Sequence, residues 1–249
     1  MKDIVLAPTI ADGDVLVQFT AEVSVEKNLA VKVPMGYTAI VCIGGRAEAR
    51  IPSTEEKRIV DCGKQLLHKK CRIAFVRKTV SEEMAWGFGN INVNNERLQE
   101  AYRIGANGKY SVEIAEIGKL LNSFDGEENI TTETIRNKTI ATIKNVGTAI
   151  LGKYFANTRT SVFEISAHVQ DIRKELLSSL QKEVAFTALG LKLHDLTVDG
   201  IHIPEEDLAI IQNRLNANVT EIEGETVIVQ TINEDGSIKI SYEDRKKNN

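Results

Sequence analysis

The stretch that decides the fold lies at residues 101–114 and reads AYRIGANGKYSVEI. Two runs of strand-forming residues, 101–104 and 110–114, lie on either side of Asn107-Gly108. Asparagine and glycine readily adopt the two positive φ values that a tight hairpin turn needs. The pattern therefore predicts an antiparallel hairpin, with its turn at Asn107-Gly108.

Similar β-branched runs, broken by Gly, Pro and Asn, extend back from this hairpin to about residue 23. Short runs of this kind are typical of strands joined by turns. They predict strands at residues 29–33, 37–43, 46–51, 72–77 and 110–114. The first half of the chain is therefore expected to be mainly β.

The spacing of apolar residues changes from two to 3.6 after about residue 130, which indicates helices. The first predicted helix starts at Thr131 or Thr132 and runs to about residue 155, with an apolar stripe of Ile135, Ile143, Val146, Ile150 and Tyr154. The second starts at Ser161, where Ser161 and Glu164 fit a capping box, and stops at Gly190. Its apolar stripe holds Ile165, Val169, Ile172, Leu176, Leu180 and Val184.

Residues 191–203 alternate between apolar and polar, which predicts one strand that returns to the earlier sheet. Pro204, followed by three acidic residues, marks the first turn of another helix. The apolar face of this helix holds Leu208, Ile211, Leu215 and Val219. Residues 226–232 and 237–242 predict a C-terminal hairpin, followed by a polar tail at 244–249. Strands first, long helices next and a returning strand indicate an α+β fold.

Composition excludes several classes of protein. The 249 residues include 31 Lys and Arg against 35 Asp and Glu, a net charge of −4, so nucleic acid is not expected as a partner. The three cysteines form no C-x-x-C pair, which makes a disulfide framework improbable. Neither a signal peptide nor an apolar membrane span is recognisable. A cytoplasmic protein with reduced thiols is expected.

The densest group of candidate metal ligands or catalytic residues lies in the segment from His194 to Glu206. It consists of His194, Asp195, Asp199, His202, Glu205 and Glu206. If the segment is one strand, His194 and His202 lie about 26 Å apart, at roughly 3.3 Å per residue. One metal ion cannot bind both at that distance. The favoured interpretation is an exposed strand face followed by an acidic helix start.

Other candidates for chemistry are weaker. Gly87 and Gly89 begin a dinucleotide-binding pattern, but Asn92 stands where its third glycine belongs. Gly44-Gly45 favours a turn over an anion site. A nucleophile pair of Cys62 or Cys71 with His68 or another histidine stays open, although an inert thiol is the commoner outcome. The residues identify no catalytic residue, and we expect no cofactor and no metal ion.

A series of short motifs occurs in order along the chain. It comprises residues 33–41 (VPMGYTAIV), Trp86-Gly87, Arg103-x-Gly105, residues 108–114 (GKYSVEI), two long helices, Gly190-Leu191-x-Leu193 and residues 201–206 (IHIPEE). The series resembles the SPFH or band 7 superfamily, which includes stomatins, prohibitins and flotillins. It is most similar to the bacterial virion-core-protein-like branch. The resemblance covers roughly residues 28–220.

The resemblance implies a curved antiparallel sheet packed against helices, as in an SPFH or band 7 domain. It divides the chain into an N-terminal segment (1–27), an SPFH-like domain (28–220) and a β-hairpin appendage (221–249). It also implies a noncatalytic scaffold or adaptor that assembles with itself and organises a membrane-associated or stress-related protein complex. The alternative is an enzyme or metal-binding protein that uses the segment from His194 to Glu206.

Two departures from the family change these expectations. We expect no N-terminal membrane anchor, and we expect a β-hairpin in place of the long coiled coil of many members. Contact with the inner face of the membrane is therefore expected to be peripheral or made through an unidentified protein partner. Homo-oligomers would form through sheet edges or the two long helices.

Overall fold

The computed structural model describes residues 4–9, 14–95, 100–157, 165, 168–217, 226–232 and 238–244. Its strands are β1 (Ile4–Leu6), β2 (Val15–Phe19), β3 (Val23–Ser24), β4 (Leu29–Lys32), β5 (Tyr37–Ile43), β6 (Arg46–Ile51), β7 (Glu56–Arg58), β8 (Lys70–Arg77), β9 (Met84–Asn95), β10 (Glu100–Ile114), β11 (Asn129–Thr131), β12 (Leu191–Leu196), β13 (Gly200–His202), β14 (Thr226–Ile232) and β15 (Ile238–Asp244). Its helices are α1 (Ile117–Ser123), α2 (Thr132–Asn157), α3 (Val169–Leu180), α4 (Val184–Ala188) and α5 (Glu205–Ala217), with short 3₁₀ turns at Ile59–Cys62 and Lys64–Leu66. The predicted α+β class is confirmed.

A central sheet in the order β11-β2-β8-β5-β6 separates two hydrophobic cores. In β5, Ala39 and Val41 belong to one core, whereas Ile40 and Cys42 belong to the other. Because both faces of β5 are buried, its apolar run is continuous instead of alternating. The strands predicted at residues 37–43 and 46–51 are confirmed.

The first core lies between the central sheet and a small sheet in the order β1-β4-β7. Its buried residues come from one part of the chain: Val25, Leu29, Val31, Val33, Ala39, Val41, Ile51, Ile59, Leu66, Cys71, Ile73 and Phe75. Residues 23–80 therefore fold around a core of their own. We call residues 23–80 the basic lobe, because they contain more Lys and Arg than Asp and Glu. The remaining helices and β9, β10, β12 and β13 contribute to the second core.

The predicted hairpin at Asn107-Gly108 is wrong. Residues 100–114 form one continuous strand, β10, which pairs with β9 along one edge and with β12 and β13 along the other. Asn107 pairs with Gly87, and Gly108 pairs with Trp86. Tertiary pairing on both edges therefore holds extended a dipeptide that favours a turn locally. Register shifts at Ile104/Ala106 and Ser111/Val112 curve the strand.

The first long helix is confirmed as α2, which packs along β9. Its fully buried stripe is Ile135, Thr139, Ile143, Gly147, Leu151 and Phe155, so Val146, Ile150 and Tyr154 of the predicted stripe are only half-buried. Gly147 lies on this buried stripe, against Phe88 of β9. A Cβ atom there would lie 2.4 Å from Cζ of Phe88, so a glycine lets the helix approach the ring closely.

The second helix is shorter than predicted. Within the described residues, α3 ends at Leu180 and α4 follows after a turn, while the predicted capping box at Ser161 lies outside them. Val184 is 73% exposed, whereas Phe186 is buried. The break between α3 and α4 therefore reorients the chain so that the larger side chain enters the core. Gly190 ends the segment as predicted, with φ at +73°.

The returning segment forms two strands instead of one. β12 and β13 both pair antiparallel with β10, and residues 197–199 between them stay beside it through backbone bonds from Thr197 N to Lys109 O (2.7 Å) and from Asp199 N to Asn107 O (2.8 Å). The helix predicted at Pro204 is confirmed as α5. Its predicted apolar residue Ile211 is buried and Leu208 is half-buried, whereas Leu215 and Val219 lie beyond the described side chains. The C-terminal hairpin is confirmed as β14 and β15.

Candidate functional site

The motif residues of the sequence meet around β10. Trp86, which is 3% exposed, donates from its indole Nε1 to the carbonyl oxygens of Lys109 (3.2 Å) and Thr197 (3.1 Å). One side chain of β9 therefore bonds to β10 and to the segment after β12. Gly108 makes this approach possible, because a Cβ atom at that position would lie 2.0 Å from the Thr197 oxygen.

An ion pair joins α5 to β10. Arg103 donates from Nε to Asp207 Oδ2 (3.0 Å) and from Nη2 to Asp207 Oδ1 (2.8 Å), while its backbone N donates to Oδ2 (2.7 Å). Glu206 also accepts from Arg103 Nη2. Hydrogen bonds from Arg103 hold the pKa of the Asp207 carboxyl below its usual value, and those carboxylates raise the pKa of Arg103. The motifs around Arg103 and Pro204 thus form one structural clamp.

Gly190 forms the third contact of this region. Its carbonyl accepts from the backbone N of Ala115 (2.9 Å) and of Glu116 (3.0 Å). A Cβ atom at Gly190 would lie 2.3 Å from the Glu116 oxygen. The positive φ and the close approach both require glycine here.

Most of the candidate ligands between His194 and Glu206 form separate contacts in the structure. Asp195 Oδ1 accepts from Arg173 Nη2 (2.6 Å) on α3, and the ring of His202 hydrogen-bonds through Nε2 to Asn107 Oδ1 (2.6 Å). Each contact links a returning strand to a neighbouring element.

The other candidate ligands also lie in separate places. Asp199 accepts from Thr197 Oγ1 (2.9 Å), and Glu206 belongs to the Arg103 clamp. His194 and Glu205 are exposed. In the part of the chain that the structure describes, His, Cys, Asp and Glu form no group of three or more that could hold a metal ion.

The glycine candidates have structural roles. Gly87 and Gly89 lie inside β9, not in a loop before a helix. Gly44 and Gly45 have φ values of +55° and +77° and form the tight turn between β5 and β6. The turn interpretation of Gly44-Gly45 is therefore confirmed.

All three cysteines are free, and each has a raised pKa. Burial raises the pKa of the Cys42 thiol to about 11, although the nearby Arg72 opposes the shift. Burial also raises the pKa of Cys62 and of Cys71. The ring of His68 faces Glu26 at 4.0 Å. These thiols are protonated at neutral pH, which is unfavourable for a nucleophile.

We expect a thiol reagent at pH 8 to modify Cys62 first in the native protein. Cys62 is half-buried, whereas Cys42 and Cys71 are buried, and at a pKa near 11 only about one Cys42 thiol in a thousand is ionised at pH 8. Mass spectrometry of labelled peptides measures the order, and labelling in denaturant, where all three should react, is the control. Rapid native labelling of Cys42 would contradict this expectation.

Charge is divided unevenly along the chain, which the whole-chain value hides. The basic lobe, residues 23–80, contains 12 Lys and Arg against 5 Asp and Glu, a net charge of +7, and the remaining residues carry −11. The total of −4 does not reveal this division, because the charges of the two parts largely cancel. Counting charges within each structural unit would have found it.

Among the residues that the structure describes, no helix is both long and apolar enough to span a membrane. No curated protein matches the chain significantly. The sequence model described as "SPFH domain-Band 7 family" matches residues 68–219, more than half of the 249 residues. The matched region contains Trp86, Arg103, Gly108, Gly190 and Asp207. The chain therefore belongs to the SPFH domain–Band 7 family, whose role is generally that of a noncatalytic scaffold.

Proposed function

We propose that this chain is an SPFH-type scaffold or adaptor that assembles with itself and organises a membrane-associated or stress-related protein complex. The observation that carries the proposal is that the motif residues hold neighbouring strands and helices together. Trp86 and Gly108 hold β9, β10 and the returning segment together, and Arg103 and Asp207 fasten α5 to β10. The indole N–H of Trp86 and the guanidinium of Arg103 both donate to groups of the same chain, which supports a structural role for the motifs.

The proposal includes the finer expectations drawn from the resemblance. The protein belongs to the virion-core-protein-like branch and is cytoplasmic, and it contacts the inner face of the membrane peripherally or through a protein partner. Residues 28–220 form the SPFH-like domain, preceded by residues 1–27 and followed by the appendage at 221–249.

The alternative of an enzyme or metal-binding protein finds no support in the segment from His194 to Glu206. Asp195, Asp199, His202 and Glu206 each bond to a different partner. A shared coordination sphere would require these contacts to break and the strands to move. We therefore do not propose it.

Light scattering on the full chain tests self-assembly. We expect a particle mass that is a multiple of 27.5 kDa and that persists on dilution into the micromolar range, because scaffolds act through many copies. Chemical crosslinking at the same concentrations should give a ladder that ends at the same mass. A strict monomer even at high concentration would overturn the proposal.

A further inference from the structure

The basic lobe contains seven lysines, all within the part of the chain that the structure describes. They are Lys27, Lys32, Lys57, Lys64, Lys69, Lys70 and Lys78. Across the described ranges none of them forms an ion pair, whereas Glu26 of the lobe lies 4.0 Å from His68.

Outside the lobe, Lys109, Lys119, Lys174 and Lys192 each lie within 4.0 Å of a carboxylate. In the same described ranges, the exposed Lys144, Lys153 and Lys182 form no ion pair. All the lobe's lysines except the half-buried Lys57 are exposed. The charges of the six exposed lysines are therefore available to an anion from outside the chain.

The lobe also presents an apolar side chain at the tip of a turn. Met35 is 83% exposed, more than any other large hydrophobic residue in the described part of the chain. The turn is held by a bond from Tyr37 N to Pro34 O (3.3 Å) and by the positive φ of Gly36 (+83°). Met35 is therefore kept in water by ordered backbone.

Two of the free lysines flank this tip. Lys78 donates its backbone N to Gly36 O (2.9 Å), and the exposed Lys32 precedes Met35 by three residues. Glu56 lies opposite Lys32 on β7, and Glu55 bonds to Val33 through its backbone. The acidic side chains reduce the local positive charge but do not pair with either lysine.

We propose that the basic lobe docks on an anionic phospholipid surface, with Met35 entering the apolar layer and Lys32 and Lys78 contacting the headgroups. This inference rests on the proposed scaffold function, to which it supplies the membrane contact. An exposed turn with one apolar side chain suits a fluid lipid layer, whereas a specific protein interface needs a complementary surface of about 1,000 Å² or more. Nucleic acid would use the same cations but would leave Met35 in water. A basic patch combined with an apolar insertion gives the two signals that reversible membrane binding requires.

Vesicle flotation with the full 249-residue protein tests the inference. The probes are phosphatidylcholine vesicles with and without about 30% phosphatidylglycerol, at about 0.05 M and about 0.5 M salt. We expect binding only to the anionic vesicles and a loss of at least about tenfold in affinity at high salt, where exposed charges are screened.

Substitutions assign the binding to the lobe. Lys32→Gln with Lys78→Gln should weaken binding about 25-fold, since each lysine near an anionic surface contributes roughly fivefold. Met35→Ser should weaken it about fivefold through the lost apolar insertion. Lys144→Gln with Lys153→Gln, at two exposed lysines on α2, is the matched control and should have no effect. Unchanged melting temperatures show that the variants are folded.

Several outcomes would overturn the inference. They are no preference for anionic vesicles, an equal loss in the α2 control, or tighter binding to duplex DNA than to vesicles at the same salt. Light scattering without lipid separates this inference from the proposed function. An assembled protein that ignores vesicles defeats only the docking surface, whereas a monomer that binds them defeats only the self-assembly.

Discussion

Replacing Gly108 with Ala is expected to destabilise the protein by about 2–4 kcal/mol. The new Cβ atom would lie 2.0 Å from the Thr197 oxygen and 2.9 Å from Cζ2 of Trp86. The Thr197 backbone must then move, which breaks its bond to Lys109 and leaves the buried indole N–H with a poorer acceptor. Trp86 is the chain's single tryptophan. Urea denaturation followed by its emission therefore measures the loss directly.

Gly89→Ala is the matched control for Gly108→Ala. Gly89 lies in the neighbouring strand β9, and a Cβ atom there would meet nothing within 4 Å. Its replacement should change stability by less than about 1 kcal/mol. If both variants unfold at the same urea concentration, the close approach of Thr197 does not explain why residue 108 is a glycine.

Gly108 also shows where reasoning from the sequence fails. Asn107-Gly108 has the composition of a turn, and no local signal shows that strands pair on both edges of this segment. The glycine serves instead for the close approach of residue 197, 89 positions later in the chain. Glycine inside a strand frequently has this meaning, but the partner that approaches is known only from the tertiary structure.

The elements that could be predicted are those whose pattern depends on burial alone. β5 was predictable because burial on both faces gives an unbroken apolar run, and α2 because its apolar residues recur at helical spacing. β9 was missed, since Gly87, Gly89 and several asparagines hide its alternation. The predicted second helix is interrupted after Leu180, where Phe186 is buried at the expense of Val184.

The candidate site was predictable in part. The motif series that carries the family resemblance includes Trp86, Arg103 and Gly190, which make structural contacts to residues far away in the sequence. The positive charge of residues 23–80 can be counted from the sequence. The limits of that segment, however, are known only from the residues that form the first core. The candidate ligands from His194 to Glu206 are neighbours along the chain, but Arg173 of α3 and Asn107 of β10 bond to two of them separately.

Replacing Asp207 with Asn is expected to lower the melting temperature by several degrees at pH 7. Asn keeps one acceptor oxygen but loses the charge, so the paired bonds from Arg103 Nε and Nη2 cannot both persist. The start of α5 would then be held to β10 mainly by Glu206, whose side chain is 70% exposed. Calorimetry of the variant beside the wild type measures the difference, and Glu206→Gln, at the exposed partner of the same guanidinium, is the matched control with a smaller expected effect.

The difference in melting temperature between the wild type and Asp207→Asn is expected to depend on pH. Arg103 lowers the pKa of Asp207 from its usual 3.8 in the folded state, so protonation of this carboxylate opposes folding. The stability it contributes is therefore fully present above the unfolded pKa and is lost as the pH falls through the folded pKa. The gap in melting temperature between wild type and Asp207→Asn should stay constant from about pH 8 to 5 and narrow below pH 3.8. A gap that is unchanged down to pH 2 would show that the charge of Asp207 does not fasten α5, since the substitution would then act through shape alone.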